Sequence, residues 1–236
     1  MAAQPVAPNG LLERLERWRS RVREPALTLL LVIEFLVIFV LIPFYGMSVY
    51  TLRSTHVPIA SGLAVATVAA IARGRIALIL TLFSVAIAIG ADILRYEWPS
   101  HLSALTFLFA ALAFLFIVTG VVGQVVFGPG RVTSHRVQGA VVLYLHFALI
   151  FAYVYALVLF LVPGAFGELV VTTDELVGGK LLYFSFTTLT TVGYGDIVPL
   201  HPFARSIANL EAIIGQLYPA TLLARIVTLE VAARRE

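Results

Sequence analysis

Long apolar runs separated by short polar segments make up most of the chain beyond residue 25. A helix needs about 20 mostly apolar residues to cross a bilayer core, and shorter runs suffice where aromatic or arginine residues flank them. Six runs fit this description, at residues 26–43, 57–72, 76–94, 102–127, 137–163 and 203–231. A further apolar piece, residues 180–190, is too short to span and predicts a re-entrant helix. The pattern therefore predicts an all-α membrane protein with six transmembrane helices and a re-entrant helix between the fifth and sixth.

The segment before the first span has its own apolar periodicity. Leu11, Leu15, Trp18 and Val22 recur three or four positions apart, with charged residues between them. This stripe predicts an amphipathic helix in the cytoplasmic membrane interface, within an N-terminal arm of residues 1–25. A loosely ordered basic arm is the alternative.

The distribution of basic residues predicts the orientation. With both termini cytoplasmic, twelve of the 16 basic residues lie inside. The four that lie outside are Arg53, Arg95, Lys180 and Arg205. This asymmetry follows the positive-inside rule and predicts a multi-pass protein of the plasma membrane. The Ala-rich, Arg-heavy composition is compatible with a prokaryotic cell membrane.

Composition excludes several classes of protein. Hydrophobic residues make up 60% of the chain and charged residues 12%, unlike a soluble globular domain. There are no cysteines, and the five histidines lack metal-ligand spacing, so no cofactor is expected. The chain has none of the common catalytic motifs, which argues against an enzyme. Its basic residues flank apolar spans, so the pI near 9.4 reflects membrane orientation and not nucleic-acid binding.

Residues 190–196, Thr-Thr-Val-Gly-Tyr-Gly-Asp, begin at the last residue of the short apolar piece. This heptad resembles the selectivity-filter signature of potassium channels. The resemblance implies that residues 191–195 (Thr191, Val192, Gly193, Tyr194 and Gly195) form a filter, with K⁺ bound by the carbonyls of residues 191–194. Gly193 and Gly195 can adopt the positive φ angles that turn successive carbonyls toward one axis. The hydroxyl of Thr191 would add a ring at the inner end, whereas a tight Gly-rich turn in an outer loop is the alternative.

The resemblance extends over residues 137–231, which match the outer helix, pore helix, filter and inner helix of a potassium-channel pore. The six-span plan resembles that of the six-transmembrane potassium channel superfamily. It implies a pore domain at 137–236 and a four-helix, sensor-like domain at 26–136. Because one chain supplies one filter strand, a closed ring of carbonyls implies a homotetramer that passively conducts K⁺.

Residues beside the filter are expected to support it. They are Tyr183, Phe184, Thr187, Thr188, Thr190 and Asp196. Tyr183 and Phe184 take the place of the family's aromatic cuff. Thr187 stands where some members carry a carboxylate that pairs with the residue at Asp196, so that pair is absent. The Tyr183 hydroxyl can instead reach Asp196, with plain packing as the alternative.

Gly215 falls at the family's inner-helix hinge. Glycine weakens a helix locally, and Pro219 removes one intrahelical hydrogen bond, so the two predict a bend that serves as a gate. A small-residue packing site between helices is the alternative.

Two carboxylates lie deep within predicted spans, where ionisable side chains are costly. Glu211 is expected to join the inner helix to the pore helix through Ser185 or a threonine. Glu34 has no partner in its own helix, and His146 in the fifth span is the nearest available group. Structural hydrogen bonding and proton sensing are both open for these acids.

The fourth span, residues 102–127, contains no Arg or Lys. It therefore lacks the arginine ladder of a voltage sensor. The first four spans are expected to form a packing collar or a lipid-facing domain. In the latter case, Arg73, Arg75, Arg131 and Arg136 would contact anionic lipid headgroups.

Two other classes of protein share part of this pattern. Potassium uptake transporters also have re-entrant filters but carry four pore repeats in one chain, whereas this chain has one. A non-conducting receptor or accessory subunit with a pore-like scaffold is the remaining alternative.

Overall fold

The computed structural model describes residues 25–42, 75–98, 100–128, 133–167, 169 and 179–233. This part of the chain contains helices α1 (Pro25–Leu41, ending in a π-helical turn at Val37–Leu41), α2 (Arg75–Glu97), α3 (His101–Val126), α4 (Ser134–Leu161), α5 (Gly179–Leu189) and α6 (Pro202–Ala233). Their ends lie within three residues of the corresponding predicted segments. The predicted interfacial helix and the second span, 57–72, lie outside the described residues.

Among the described helices, α3 and α4 are long and apolar enough to cross a membrane. Helices α1 and α2 carry shorter apolar stretches, Pro25–Leu41 and Leu78–Leu94. Helix α6 has 32 residues but is more polar, with Asn209, Glu211 and Gln216 on it. The six-span layout therefore stays a prediction.

The main core lies where α4 faces its neighbours. Helix α4 packs against α3, α5 and α6, while α2 packs on α3 and α1 on both α3 and α4. Leu108, Tyr155, Leu181 and Ala204, one from each of α3 to α6, belong to this cluster and are almost fully buried. Burial of this apolar surface holds the short helix α5 between two long ones.

The segment after α4 pairs with the segment that leads into α6. Phe166 and Pro199 form an isolated antiparallel bridge, and the Gly167 N–H donates to the Val198 carbonyl at 2.9 Å. Helix α6 then begins at Pro202, a residue favoured at the first helical position. The pairing fixes the chain that follows the predicted filter to the end of α4.

Two contacts fasten the C-terminal half of α6. The Tyr218 hydroxyl donates to the Ala140 carbonyl of α4 at 2.8 Å. The Arg225 guanidinium donates to the Phe127 carbonyl, which caps α3, at 2.9 Å, and lies 4.9 Å from the Phe127 ring centre. Movement of this half of α6 would therefore disturb both α3 and α4.

Candidate functional site

Helix α5 has 11 residues, and its last turn leads directly into residues 191–195, called the filter segment below. The Thr187 hydroxyl donates to the Phe184 carbonyl at 3.0 Å, and the Thr190 hydroxyl to the Phe186 carbonyl at 2.6 Å. Both carbonyls lie in the last two turns of the helix, and that of Phe186 also accepts from the Thr190 N–H at 3.0 Å, so the hydroxyls act as second donors. The side chains of Thr187 and Thr190 thus satisfy carbonyls of their own helix.

The backbone of the filter segment alternates in handedness. The φ angle is positive at Thr191 (58°), Gly193 (54°) and Gly195 (81°), and not at the two residues between them. The values at both glycines agree with the sequence-based expectation, whereas the positive φ at Thr191 was not foreseen. An ordinary strand directs successive carbonyls to opposite sides, and this alternation removes that reversal.

The hydrogen bonds of the filter segment leave its carbonyls free. The Thr191 N–H donates to the Thr188 carbonyl at 3.0 Å, and the Gly193 N–H to the Thr187 carbonyl at 3.1 Å. Within the described part of the chain, no hydrogen bond is donated to a carbonyl of residues 191–194. These four oxygens are therefore free to bind water or a cation.

The filter segment lies on a surface that a single chain leaves uncovered. Val192 is 53% exposed and Tyr194 72% exposed. The site as seen in one chain is therefore open along the filter segment.

Aromatic side chains support the outer half of this segment. The rings of Tyr183 and Tyr194 stack with centroids 6.1 Å apart and planes 3° apart. Tyr183 and Asp196 line the same cavity, and a hydrogen bond between them stays a prediction. Phe184 is buried, and its ring meets that of Tyr155 edge-on at 4.9 Å. Tyr183 thus contacts the filter segment, while Phe184 anchors α5 in the core.

Gly215 on α6 packs against the end of α5. A Cβ atom placed on Gly215 would lie 2.7 Å from the carbonyl carbon of Leu189 and 3.1 Å from its Cα. This close backbone approach favours the packing alternative for Gly215. Pro219 lies inside α6, where it removes the donor to the Gly215 carbonyl, and the helix continues on both sides. A hinge at Gly215 and Pro219 stays a prediction.

Glu211 joins three helices inside the core. Its side chain is fully buried and hydrogen-bonds to the hydroxyls of Tyr155 on α4 and Ser185 on α5. Ser185 was the expected partner, and Tyr155 was not foreseen. The Ser185 hydroxyl also lies 2.8 Å from the Ala148 carbonyl, a second acceptor.

A neutral Glu211 can satisfy every hydrogen bond of this cluster. Ser185 has one hydroxyl proton but two acceptors within reach, the Ala148 carbonyl and Glu211. If Glu211 is protonated, it donates to Ser185, Ser185 donates to Ala148, and Tyr155 donates to the remaining oxygen of Glu211. A neutral acid therefore satisfies every polar atom without burying a charge.

This proton count yields a first prediction. In Glu211→Gln, the amide can accept from Tyr155 and donate to Ser185, so we expect thermal stability and ion flux close to those of wild type. In Glu211→Ala, the Tyr155 hydroxyl loses its acceptor while Ser185 keeps the Ala148 carbonyl, so we expect a loss of about 1–3 kcal/mol per chain from the unsatisfied hydroxyl. Thermal unfolding of both purified variants checks this. Equal destabilisation by Gln and Ala would contradict the expected role of a neutral Glu211.

Glu34 pairs with His146, the partner that the sequence offered. Their side chains meet through Oε1 and Nε2, and the Thr119 hydroxyl lies 3.0 Å from Nδ1 of His146. His146 is 2% exposed, so the pair joins α1, α3 and α4 within the core. The structure supplies the hydrogen bonding expected for Glu34, and proton sensing by this group stays the alternative.

Tyr155 and Gln216 contribute to the site but were not singled out from the sequence. Gln216 Nε2 donates to the Thr191 hydroxyl oxygen at 2.8 Å. A signal for Gln216 was present, because it is an isolated amide beside apolar residues directly after Gly215. No comparable signal marked Tyr155, since a tyrosine in an apolar helix is most often a packing residue.

Comparison with known proteins adds one match. Residues 140–231 match the family model described as "Ion channel", which covers most of α4, α5, the filter segment and nearly all of α6. No curated protein and no solved structure matched the chain. The match, together with the apolar helices α3 and α4, indicates a membrane protein with an ion-channel domain and passive ion conduction.

Proposed function

We propose that this chain is the subunit of a potassium-selective channel. Four copies surround one axis, and each supplies its filter segment to a pore that conducts K⁺ passively. K⁺ is the transported ion, and no cofactor takes part. Membrane lipids, including anionic ones at the cytoplasmic face, are the other expected partners.

The four free carbonyls of residues 191–194 carry this proposal. A dehydrating potassium ion needs oxygen atoms in place of its water, and rings of backbone carbonyls supply them. The alternating φ angles at Thr191, Gly193 and Gly195 favour carbonyls that face one side. The open surface along the filter segment is where three further copies would close the ring.

Helix α5 contributes a second electrostatic element. The C-terminal end of a helix carries a partial negative charge, and α5 ends at Leu189, next to the inner end of the filter segment. In a tetramer, four such ends would favour a hydrated cation before it enters the filter. The same partial negative charge would disfavour anions at this position.

Flux through the purified chain tests the proposed function. The chain is reconstituted in liposomes, and K⁺ and Na⁺ efflux are compared, with subunit number measured by light scattering in detergent. We expect a tetramer with K⁺ flux well above Na⁺ flux. Equal fluxes would overturn selectivity, and absence of any flux would favour an accessory subunit with a pore-like scaffold.

Voltage should have little effect on opening. Moving one charge through 100 mV changes the free energy by about 2.3 kcal/mol, and steep opening needs about 3–4 such charges per subunit. Helix α3 contains no Arg, Lys, Asp or Glu along its 26 residues. We therefore expect a shallow curve of conductance against voltage in symmetrical K⁺, recorded in planar bilayers. A steep sigmoid equivalent to several charges per subunit would contradict this expectation.

A further inference from the structure

One side-chain contact links α6 directly to the filter segment. Gln216 Nε2 lies 2.8 Å from the Thr191 hydroxyl oxygen, across 25 positions of the sequence. Both side chains are exposed in the single chain. They therefore lie on the uncovered surface at the inner end of the filter segment.

Thr191 has a backbone conformation that needs support. Its φ of 58° is unfavourable for a residue with a branched Cβ. Such a conformation persists only where surrounding contacts determine it. Two contacts bracket Thr191, the bond from its N–H to the Thr188 carbonyl and the bond from Gln216 to its hydroxyl.

The chemistry of an amide donor suits an oxygen that also binds a cation. The Gln216 N–H₂ group only donates, so it occupies one lone pair of the Thr191 hydroxyl and leaves the other free. Ile213 and Leu217, near Gln216 on α6, are 55% and 57% exposed and apolar. The amide is thus the polar group of this face that reaches the filter segment.

We propose that Gln216 is a positioning residue for the innermost K⁺ site. Its amide holds the Thr191 side chain in one rotamer and supports the left-handed backbone at that residue. The ring of Thr191 hydroxyls thereby keeps the spacing that suits K⁺ better than Na⁺. This inference rests on the proposed function, because it assigns a role within the same filter.

Gln216→Leu removes the donor and keeps an uncharged side chain of comparable bulk. The test measures the K⁺ concentration that gives half of the maximal thermal stabilisation of the purified protein, together with the K⁺/Na⁺ flux ratio in liposomes. One hydrogen bond contributes a net free energy equivalent to about threefold to tenfold in an equilibrium constant. We expect the half-stabilising K⁺ concentration to rise by about that factor and the flux ratio to fall.

A double-mutant cycle with Thr191→Val separates this role from simple packing. Valine keeps the branched shape but has no hydroxyl to position, so adding Gln216→Leu should then change K⁺ stabilisation less than about twofold. Thr221→Val is the matched control. Its hydroxyl bonds to carbonyls of its own helix, so we expect wild-type K⁺ stabilisation and flux ratio.

The outcomes distinguish this inference from the proposed function. A wild-type protein without preference for K⁺ over Na⁺ overturns both. A K⁺-selective wild type with an unchanged Gln216→Leu variant overturns only the role of Gln216. A shift of equal size in the Thr191→Val background would also overturn it, because the amide would then act through another group.

Discussion

Replacing Gly193 with alanine is expected to abolish potassium-selective flux. The φ of 54° at Gly193 lies in the left-handed region, where an L-residue with a Cβ costs roughly 1–2 kcal/mol. A Cβ there would have no described heavy atom within 4 Å, so the cost arises from the backbone conformation and not from a clash within the chain. Relaxation of φ would turn carbonyls of residues 191–194 away from the axis in every subunit. Liposome flux of K⁺ and Na⁺ measures the loss.

At Gly195, L-alanine and D-alanine form a matched pair of substitutions. D-residues favour positive φ, so D-alanine adds a Cβ while keeping the backbone angle of 81°. We expect Gly195→Ala to lose selectivity and the D-alanine variant, made by chemical ligation, to retain it. If the L- and D-alanine variants behaved alike, backbone handedness would not be the basis of the filter. Unchanged selectivity in Gly193→Ala would contradict the filter assignment itself.

The positions of the described helices followed from the lengths of the apolar runs. The run 102–127 is long, apolar and continuous, and in a membrane a helix is the structure that satisfies the backbone hydrogen bonds of such a run. Helix α3 accordingly occupies His101–Val126. The polarity of α6 was harder to interpret, because one face of a helix that lines a pore is expected to be polar. The position of α6 was predicted, but α6 is not apolar enough to be identified as a transmembrane helix by composition.

Contacts between helices were predictable only where the chemistry was restrictive. A buried carboxylate needs a partner, so Glu34 pointed to His146 and Glu211 to Ser185. Tyr155 was missed because side-chain direction on α4 depends on how α4 packs, which hydrophobic periodicity does not specify. The positive φ at Thr191 was missed for another reason, since a β-branched residue rarely adopts it and only the surrounding contacts permit it.

Gly215 shows how packing changes an expectation based on sequence. A hinge glycine replaced by alanine should leave a folded tetramer with a shifted open probability. The structure instead has α6 in close backbone contact with Leu189, the last residue of α5. Because neither backbone can move aside as a side-chain tip would, a new Cβ would displace the end of α5 and the filter segment that follows it.

We therefore expect Gly215→Ala to destabilise the protein by about 1–3 kcal/mol per chain, the range for overpacking, and to suppress flux. Gly120→Ala is the matched control, because a Cβ on Gly120 in α3 has no described heavy atom within 4 Å. The same change there should be neutral or stabilise by up to about 1 kcal/mol, since alanine is the better helix former. Thermal unfolding and liposome flux of both variants decide the matter. Wild-type stability and an altered open probability in Gly215→Ala would support the hinge interpretation. Loss of stability in Gly215→Ala but not in Gly120→Ala would support the interpretation that Gly215 allows α6 to approach α5.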